Sequence, residues 1–207
     1  MNEKLIAEHN RLFQEAAELI KGEIPLHGQP DLPEPGWLLT RKLRHAITLF
    51  ERVLEMNPDN WSAMWLVGKV YQRFRNTSVA LSWFERSAQI NLSQPDVARE
   101  ASICAMEIGR TEVAIAFAER AARIQPANPG LHANLALAYL LAGRVTDAQT
   151  AVRQALVGDP SDSISQTIQA MVQYFASSGE VPPTSGPSLT KYWNKNGKQP
   201  RTNPRTS

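Results

Sequence analysis

Apolar residues recur along most of the chain at intervals of three and four, the spacing that gathers them on one face of a helix. In residues 3–21 they are Leu5, Ile6, Leu12, Phe13, Ala16, Ala17, Leu19 and Ile20, which predicts one amphipathic helix. Gly22 ends it, and Pro25, Gly28, Pro30, Pro33, Pro35 and Gly36 follow. Prolines at that density cannot continue a helix, so 22–38 reads as an irregular insertion. Helical spacing resumes near Leu39 and runs to Met56, where Asn57-Pro58-Asp59-Asn60 makes a turn. From Trp61 the chain settles into pairs. The pattern predicts helices over 61–74 and 78–90, over 96–108 and 112–124, and over 130–142 and 146–157, with breaks at Asn76-Thr77-Ser78, Gly109 and Gly143. A last helix, 163–176, sets Ile164, Ile168, Met171, Val172 and Phe175 against Gln166, Gln169 and Gln173.

The pairs repeat at a fixed interval. Ala46-Ile47-Thr48-Leu49-Phe50-Glu51-Arg52 returns 34 residues on as Ala80-Leu81-Ser82-Trp83-Phe84-Glu85-Arg86, and again as Ala114-Ile115-Ala116-Phe117-Ala118-Glu119-Arg120. A fainter copy holds Ala148, Val152 and Arg153. Pro58, Pro126 and Pro160 share one frame, and Leu92 occupies it where a proline is missing, leaving that turn to Asn91, Ser93 and Pro95. Helices of about 13 residues are marginal alone in water. Each pair must therefore bury its apolar stripe on its neighbours, as in stacked repeat architectures.

The repeat resembles the tetratricopeptide repeat in its 34-residue period and in the alternation of small and aromatic residues on paired helices. Gly68 and Tyr71 stand at that family's small residue and tyrosine of the first helix, and Ala80 and Phe84 at the alanine and aromatic of the second. Gly109, Ala114, Ala121 and Pro126 match in the next repeat, then Leu135, Tyr139, Gly143, Ala148, Ala155 and Pro160. Met64 replaces the usual tryptophan, Ser102 and Ala136 the small glycine, and Leu92 the proline. The resemblance implies an all-α fold of helix-turn-helix repeats stacked in a right-handed superhelical solenoid. Repeats are expected at 61–94, 95–128 and 129–162. Residues 1–58 form a degenerate first repeat (Ala46, Phe50, Pro58) whose first helix is displaced by the insertion. Residues 163–180 cap the stack, and 181–207 are expected to form a disordered tail.

No catalytic constellation is present: neither Gly-x-Ser-x-Gly, nor a phosphate-cradling Gly-x-x-x-x-Gly-Lys, nor His-Glu-x-x-His. His9, His27, His45 and His132 are scattered, and the insertion offers His27, Asp31 and Glu34 without a recognisable arrangement. The single cysteine, Cys104, excludes an intramolecular disulfide and reads as a small apolar residue on a helix. We therefore expect no enzyme, no metal, no cofactor and no small-molecule substrate. The N-terminus carries charges throughout and no run reaches the roughly 20 apolar residues that span a bilayer, so the expected location is the cytoplasm. Net charge is +2, but the residues after Glu180 include Lys191, Lys195, Lys198, Arg201 and Arg205 and no acidic residue.

What remains is binding. The resemblance implies that first helices line a concave groove. The stripe left over on 61–74 is Trp65, Lys69, Gln72 and Arg73; on 96–108 it is Arg99, Ile103, Met106 and Glu107; on 130–142 it is Asn134, Leu137, Leu140 and Leu141. Such a groove is cationic and aromatic toward one end and apolar toward the other, which suits a peptide or helical segment of a protein partner. An equal reading makes Ile103, Leu137 and Leu141 packing residues. Lys69 and Arg99 do not complete the set with which some family members clamp a terminal carboxylate. Either the insertion or the tail, with Tyr192 and Trp193, is able to lie in the groove and mask it. Two lesser readings are nucleic-acid or anionic-surface binding through the basic, aromatic tail, and a structural subunit, monomeric or dimeric, that self-associates.

Overall fold

The computed structural model describes residues 3–25 and 32–196. His27 and Asp31 of the insertion and Lys198, Arg201 and Arg205 of the tail lie outside the described residues. Among the described residues there are ten helices and no strand: α1 (Glu3–Ile20), α2 (Trp37–Met56), α3 (Trp61–Arg73), α4 (Thr77–Ile90), α5 (Pro95–Glu107), α6 (Thr111–Ile124), α7 (Pro129–Leu141), α8 (Val145–Gly158), α9 (Ser163–Ser178) and α10 (Gly186–Asn196). From α3 onward the frame is strict. First helices begin at 61, 95, 129 and 163, and second helices at 77, 111 and 145. The chain forms two compact units, Met1–Cys104 and Ala105–Ser207, which divide within α5.

In the first unit, α1 supplies Leu12, Ala16 and Ile20 to a core shared with Leu43, Ala46, Phe50 and Val53 of α2 and Ala63, Val67 and Val70 of α3. The rings of Phe13 and Phe50 meet edge to face with centroids 5.6 Å apart, a favoured aromatic geometry. The next pair crosses more tightly. A Cβ on Gly68 would fall 2.6 Å from a ring carbon of Phe84, so only glycine fits over that ring. Polar side chains complete the helix starts: Asn60 Oδ1 accepts from the Ala63 amide (3.0 Å) and Ser87 Oγ, fully buried, donates to the Trp61 carbonyl (2.8 Å).

Each first helix ends the same way. The amides of Asn76, Arg110 and Arg144 reach back to the carbonyls of Tyr71, Ala105 and Tyr139, each at 2.9 Å. The residue before each amide has positive φ: Arg75 at 55°, Gly109 at 76° and Gly143 at 73°. This is the glycine-favouring left-handed cap, and Arg75 fills it with a residue that has a Cβ. The return turns use side chains instead. Asn57, Asn91 and Asp159, which share one frame position in their repeats, accept from the amides of Asp59, Ser93 and Ser161. Asn91 thus holds the turn in which Leu92, 68% exposed, stands in the proline frame.

In the second unit, α7 is buried on most of its circumference, through Leu131, Ala133, Leu135, Ala136, Ala138, Leu140 and Leu141. Its Tyr139 hydroxyl donates to Glu119 Oε1 at 2.6 Å while Arg144 stacks on the ring at 4.5 Å. Burial and the carboxylate acceptor push that phenol up to about 12. Helix α9 buries Ile168, Val172 and Phe175 and leaves Ile164 65% exposed. Asp162 caps its start and Gly179, at φ 68°, its end.

The expectation of a disordered segment from 181 onward is corrected. Residues 186–196 form α10, and its Leu189 is 2% exposed. The local signals are a helix start at Ser185-Gly186-Pro187, with proline in the first turn, and apolar residues at Leu189, Tyr192 and Trp193. The low apolar content of the segment as a whole hides that three-residue stripe.

Two stability predictions follow from the crossing and the cap. Gly68→Ala should cost about 1–3 kcal/mol by overpacking, and adding Phe84→Val should recover part of the loss, so that the two changes are non-additive in urea unfolding. Arg75→Gly should raise stability by up to about 1 kcal/mol, because relief of the left-handed strain exceeds the added entropy of the unfolded glycine. An unchanged midpoint would show that Arg75 carries no such strain.

Candidate functional site

The frame puts Trp65, Lys69, Gln72 and Arg73 of α3 on one stripe, with Arg99 and Ile103 of α5 in the corresponding positions 34 residues on. In the first unit these residues do not form an open cationic strip. Lys69, Arg73 and Arg99 are 2%, 7% and 8% exposed. Lys69 Nζ lies 3.2 Å from Glu100 Oε1, and the Arg99 guanidinium lies 3.5 Å from the same oxygen and 3.0 Å from Asp96. Gln72 Nε2 donates to Glu100 Oε2 at 2.8 Å and approaches Cys104 Sγ at 3.4 Å. Arg73 Nε donates to the Glu23 carbonyl at 2.9 Å, tying α3 to the segment after α1. Burial pushes the pKa of the Lys69 ammonium down, and the attraction of Glu100 opposes that shift.

Glu100 is the residue that reasoning from the stripe missed. It sits one position beyond Arg99, and in the same frame the neighbouring repeats carry Leu66 and Asn134. A carboxylate that breaks the repeat there is the available signal. Buried beside two cations, it converts what looked like a charged surface into an internal network whose members are mutually dependent.

The network leaves atoms over. Trp65 Nε1, Arg99 Nε and Gln72 Oε1 are buried and have no hydrogen-bond partner among the described residues. Two are donors and one is an acceptor. Trp65, Gln72 and Ile103 are half-buried, so this part of the face keeps an aromatic ring, an amide and an aliphatic side chain within reach of solvent.

In the second unit the expected stripe is mostly closed. Met106 is 4% exposed, Leu140 and Leu141 at most 1%, while Asn134 and Leu137 are half-buried and Glu107 is exposed. Met106, Leu140 and Leu141 are thus enclosed by their neighbours, whereas Ile103 and Leu137, given the same packing alternative as Leu141, are half-buried. Asn134 Nδ2 is buried without a partner. One period after Leu140 and Leu141 stand Tyr174 and Phe175 of α9, which carry an aromatic cluster. Tyr192 packs 5.5 Å from Phe175, and Trp193 5.8 Å from Tyr174, edge to face. The hydroxyls of Tyr174 and Tyr192 lie 3.1 Å apart, and that of Tyr192 donates to Glu180.

Among the described residues no group of three His, Cys, Asp or Glu side chains is placed to share a metal ion, and no helix is long and apolar enough to cross a membrane. His9 Nε2 lies 3.1 Å from the Asn60 amide nitrogen, and His132 Nε2 lies 2.8 Å from the Pro126 carbonyl.

Two tetratricopeptide-repeat profiles match the sequence, one over residues 105–172 and the other over 40–95, so that together they take in more than half of the chain. No curated protein matches it in sequence. Among solved structures, a MamA protein superposes with a TM-score of 0.65 at 14% identity, covering 90% of this chain and 90% of its own. A tetratricopeptide repeat protein from Parabacteroides merdae gives 0.67 at 11% identity, over 91% of this chain and 65% of that one. YrrB, described as a tetratricopeptide-repeat protein with an unusual peptide-binding site, gives 0.62 at 14% identity, over 77% and 80%. At these identities the likenesses speak for the fold, and they agree with the profiles and with the 34-residue frame of helix pairs: the chain belongs to the tetratricopeptide-repeat family.

Proposed function

We propose that this protein is a non-catalytic interaction scaffold that holds a peptide or helical segment of a partner protein on the first-helix face of its repeats. Membership of a family of protein-interaction repeats supports the general reading, and YrrB's peptide-binding site shows the same fold in that use. The observation that carries it here is the half-buried stripe of Trp65, Gln72 and Ile103 in the first unit, beside which three buried polar atoms have no partner among the described residues. Trp65 Nε1 and Arg99 Nε seek acceptors, and Gln72 Oε1 seeks a donor. A peptide group offers one acceptor and one donor, and a carboxylate offers acceptors only. Buried polar atoms without partners cost free energy, so a ligand that satisfies them gains affinity and discriminates against one that does not.

The charges around this set determine its preference. Lys69 and Arg99 face Glu100 and Asp96 and balance them in charge, and Arg73, held by the Glu23 carbonyl, leaves an excess of one positive charge. That excess favours a ligand segment with an acidic group. Lys69 and Glu100 are buried too deeply to contact it broadly. Their part is to hold Gln72 and Arg99 in place, so that the recognition atoms are preorganised.

The division of labour is testable by two kinds of measurement. Glu100→Ala strands two buried cations and should cost about 3–5 kcal/mol of stability, whereas Lys69→Met leaves Glu100 held by Arg99 and Gln72 and should cost less. Urea unfolding separates the two, and equal losses would mean that Arg99 and Gln72 do not hold Glu100 once Lys69 is gone. For binding, Trp65→Phe keeps a large ring but removes the indole donor, and should weaken partner affinity by about five- to tenfold. Ile103→Asp should abolish capture of partners from native extract. Undiminished capture by a folded Ile103→Asp protein, as judged by circular dichroism, would remove this face from consideration.

A further inference from the structure

The second unit differs from the first in what lies on the equivalent face. Tyr174 and Phe175 of α9 stand three 34-residue periods after Gln72 and Arg73, and the side chains packed against them come from α10. The segment leading into α10 is anchored at the other side of the unit. At Gly109, in the turn after α5, an added Cβ would lie 3.5 Å from the Thr184 carbonyl oxygen and 3.8 Å from the Ser185 side chain.

Between these two anchors the chain must pass α7, which lies between α5 and α9 in the frame. It does not pass over the tip of the α7–α8 turn, because Gly143 is exposed there and a Cβ on it would meet nothing within 4 Å. Midway along the crossing, Leu189 is 2% exposed, while the outward residues Ser188, Thr190, Lys191, Asn194 and Lys195 are exposed. Helix α10 is thus a short amphipathic helix whose aromatic residues rest on α9, with Leu189, Tyr192 and Trp193 as anchors at i, i+3 and i+4. This is the spacing with which one-faced helices enter grooves.

The hold on it is light. One leucine and two partly exposed aromatic side chains face inward, and an 11-residue helix is too short to be stable by itself. At the edge the Tyr174–Tyr192–Glu180 hydroxyl–carboxylate chain ties it to α9.

We propose that the first-helix face of the second unit is a docking surface for a short amphipathic helix of a partner, and that α10 is its resident, displaceable ligand. This rests on the reading of first-helix faces as partner surfaces, and it names the partner's chemistry. The partner presents an apolar residue followed three and four positions on by aromatic residues, with polar or basic residues outward, because that is the pattern the face already holds.

The test uses the full chain and a fluorescein-labelled peptide of residues 184–196 as probe. Leu189→Asp should release α10 from the face. The released protein should bind the peptide at least tenfold more tightly than the unchanged protein does, and a peptide carrying the same substitution should not bind. Adding Tyr174→Ala to the released protein should weaken binding at least tenfold, because that ring meets both aromatic anchors. If Leu189→Asp does not fold, a Tyr192→Ala, Trp193→Ala protein takes its place, since those two side chains pack at the partly exposed edge. A folded release variant that binds the peptide no better than the unchanged protein overturns the proposal. Hydrogen exchange on the unchanged protein gives an independent arm. Amides of α10 should exchange at least a hundredfold faster than those of α9, and equal protection would make α10 a permanent part of the core and overturn the proposal too. Neither result touches partner capture through Trp65 and Ile103, so the two readings fail separately.

Discussion

The close crossing of the two helices in each pair is the contact on which the rest of the structure depends. Where Gly68 presents no side chain, the ring of Phe84 fills the space to within 2.6 Å of where a Cβ would stand. Two periods on, Ala136 occupies the glycine's frame and Val152 the phenylalanine's, and both are buried. A larger residue on one helix is matched by a smaller one on the other, as close packing requires. The first pair escapes the rule because α1 is outside the frame, and there Phe50 meets Phe13 edge to face instead. Fixing each crossing fixes the register of a pair, and register decides which residues of α3, α5, α7 and α9 face away from their second helices.

That outward set is where the repeats stop being alike. The same frame positions carry a buried ion network in the first unit and leucines with aromatic rings in the second. The scaffold imposes geometry but not chemistry, because a solenoid's stability is a sum over units and interfaces. A position not needed for the crossing is free to vary. Glu100 shows the cost of that freedom. Once Lys69 and Arg99 are buried, a carboxylate is required beside them, and the network becomes structural before it is functional.

Periodicity carried most of the fold in readable form. The 34-residue return of alanine, phenylalanine and proline places the pairs from Trp61 onward, and Asn91 and Ser93 are legible as a substitute for the missing proline. Three things were not legible. The burial of Lys69 and Arg73 depends on Glu100 of α5 and on the Glu23 carbonyl after α1, which are remote in sequence, and no local pattern links them. Arg75 in the glycine frame gives no hint of its conformation, since a helix propensity scale has no entry for a left-handed cap. Helix α10 was lost because composition was averaged over 181–207, while its evidence is three residues in one turn and a half.

On the proposed reading, the two faces also set different conditions on a partner. In the first unit the recognition atoms are held by a network that is expensive to disturb, and three of its polar atoms await satisfaction. Binding there adds hydrogen bonds without removing any, so it is limited by how well the ligand's own groups match. In the second unit the face is already satisfied by Leu189, Tyr192 and Trp193. A partner gains only the difference between its own contacts and those of α10, reduced further by the high effective concentration of a tethered competitor. Occupancy of the first face is therefore governed by complementarity, and occupancy of the second by competition.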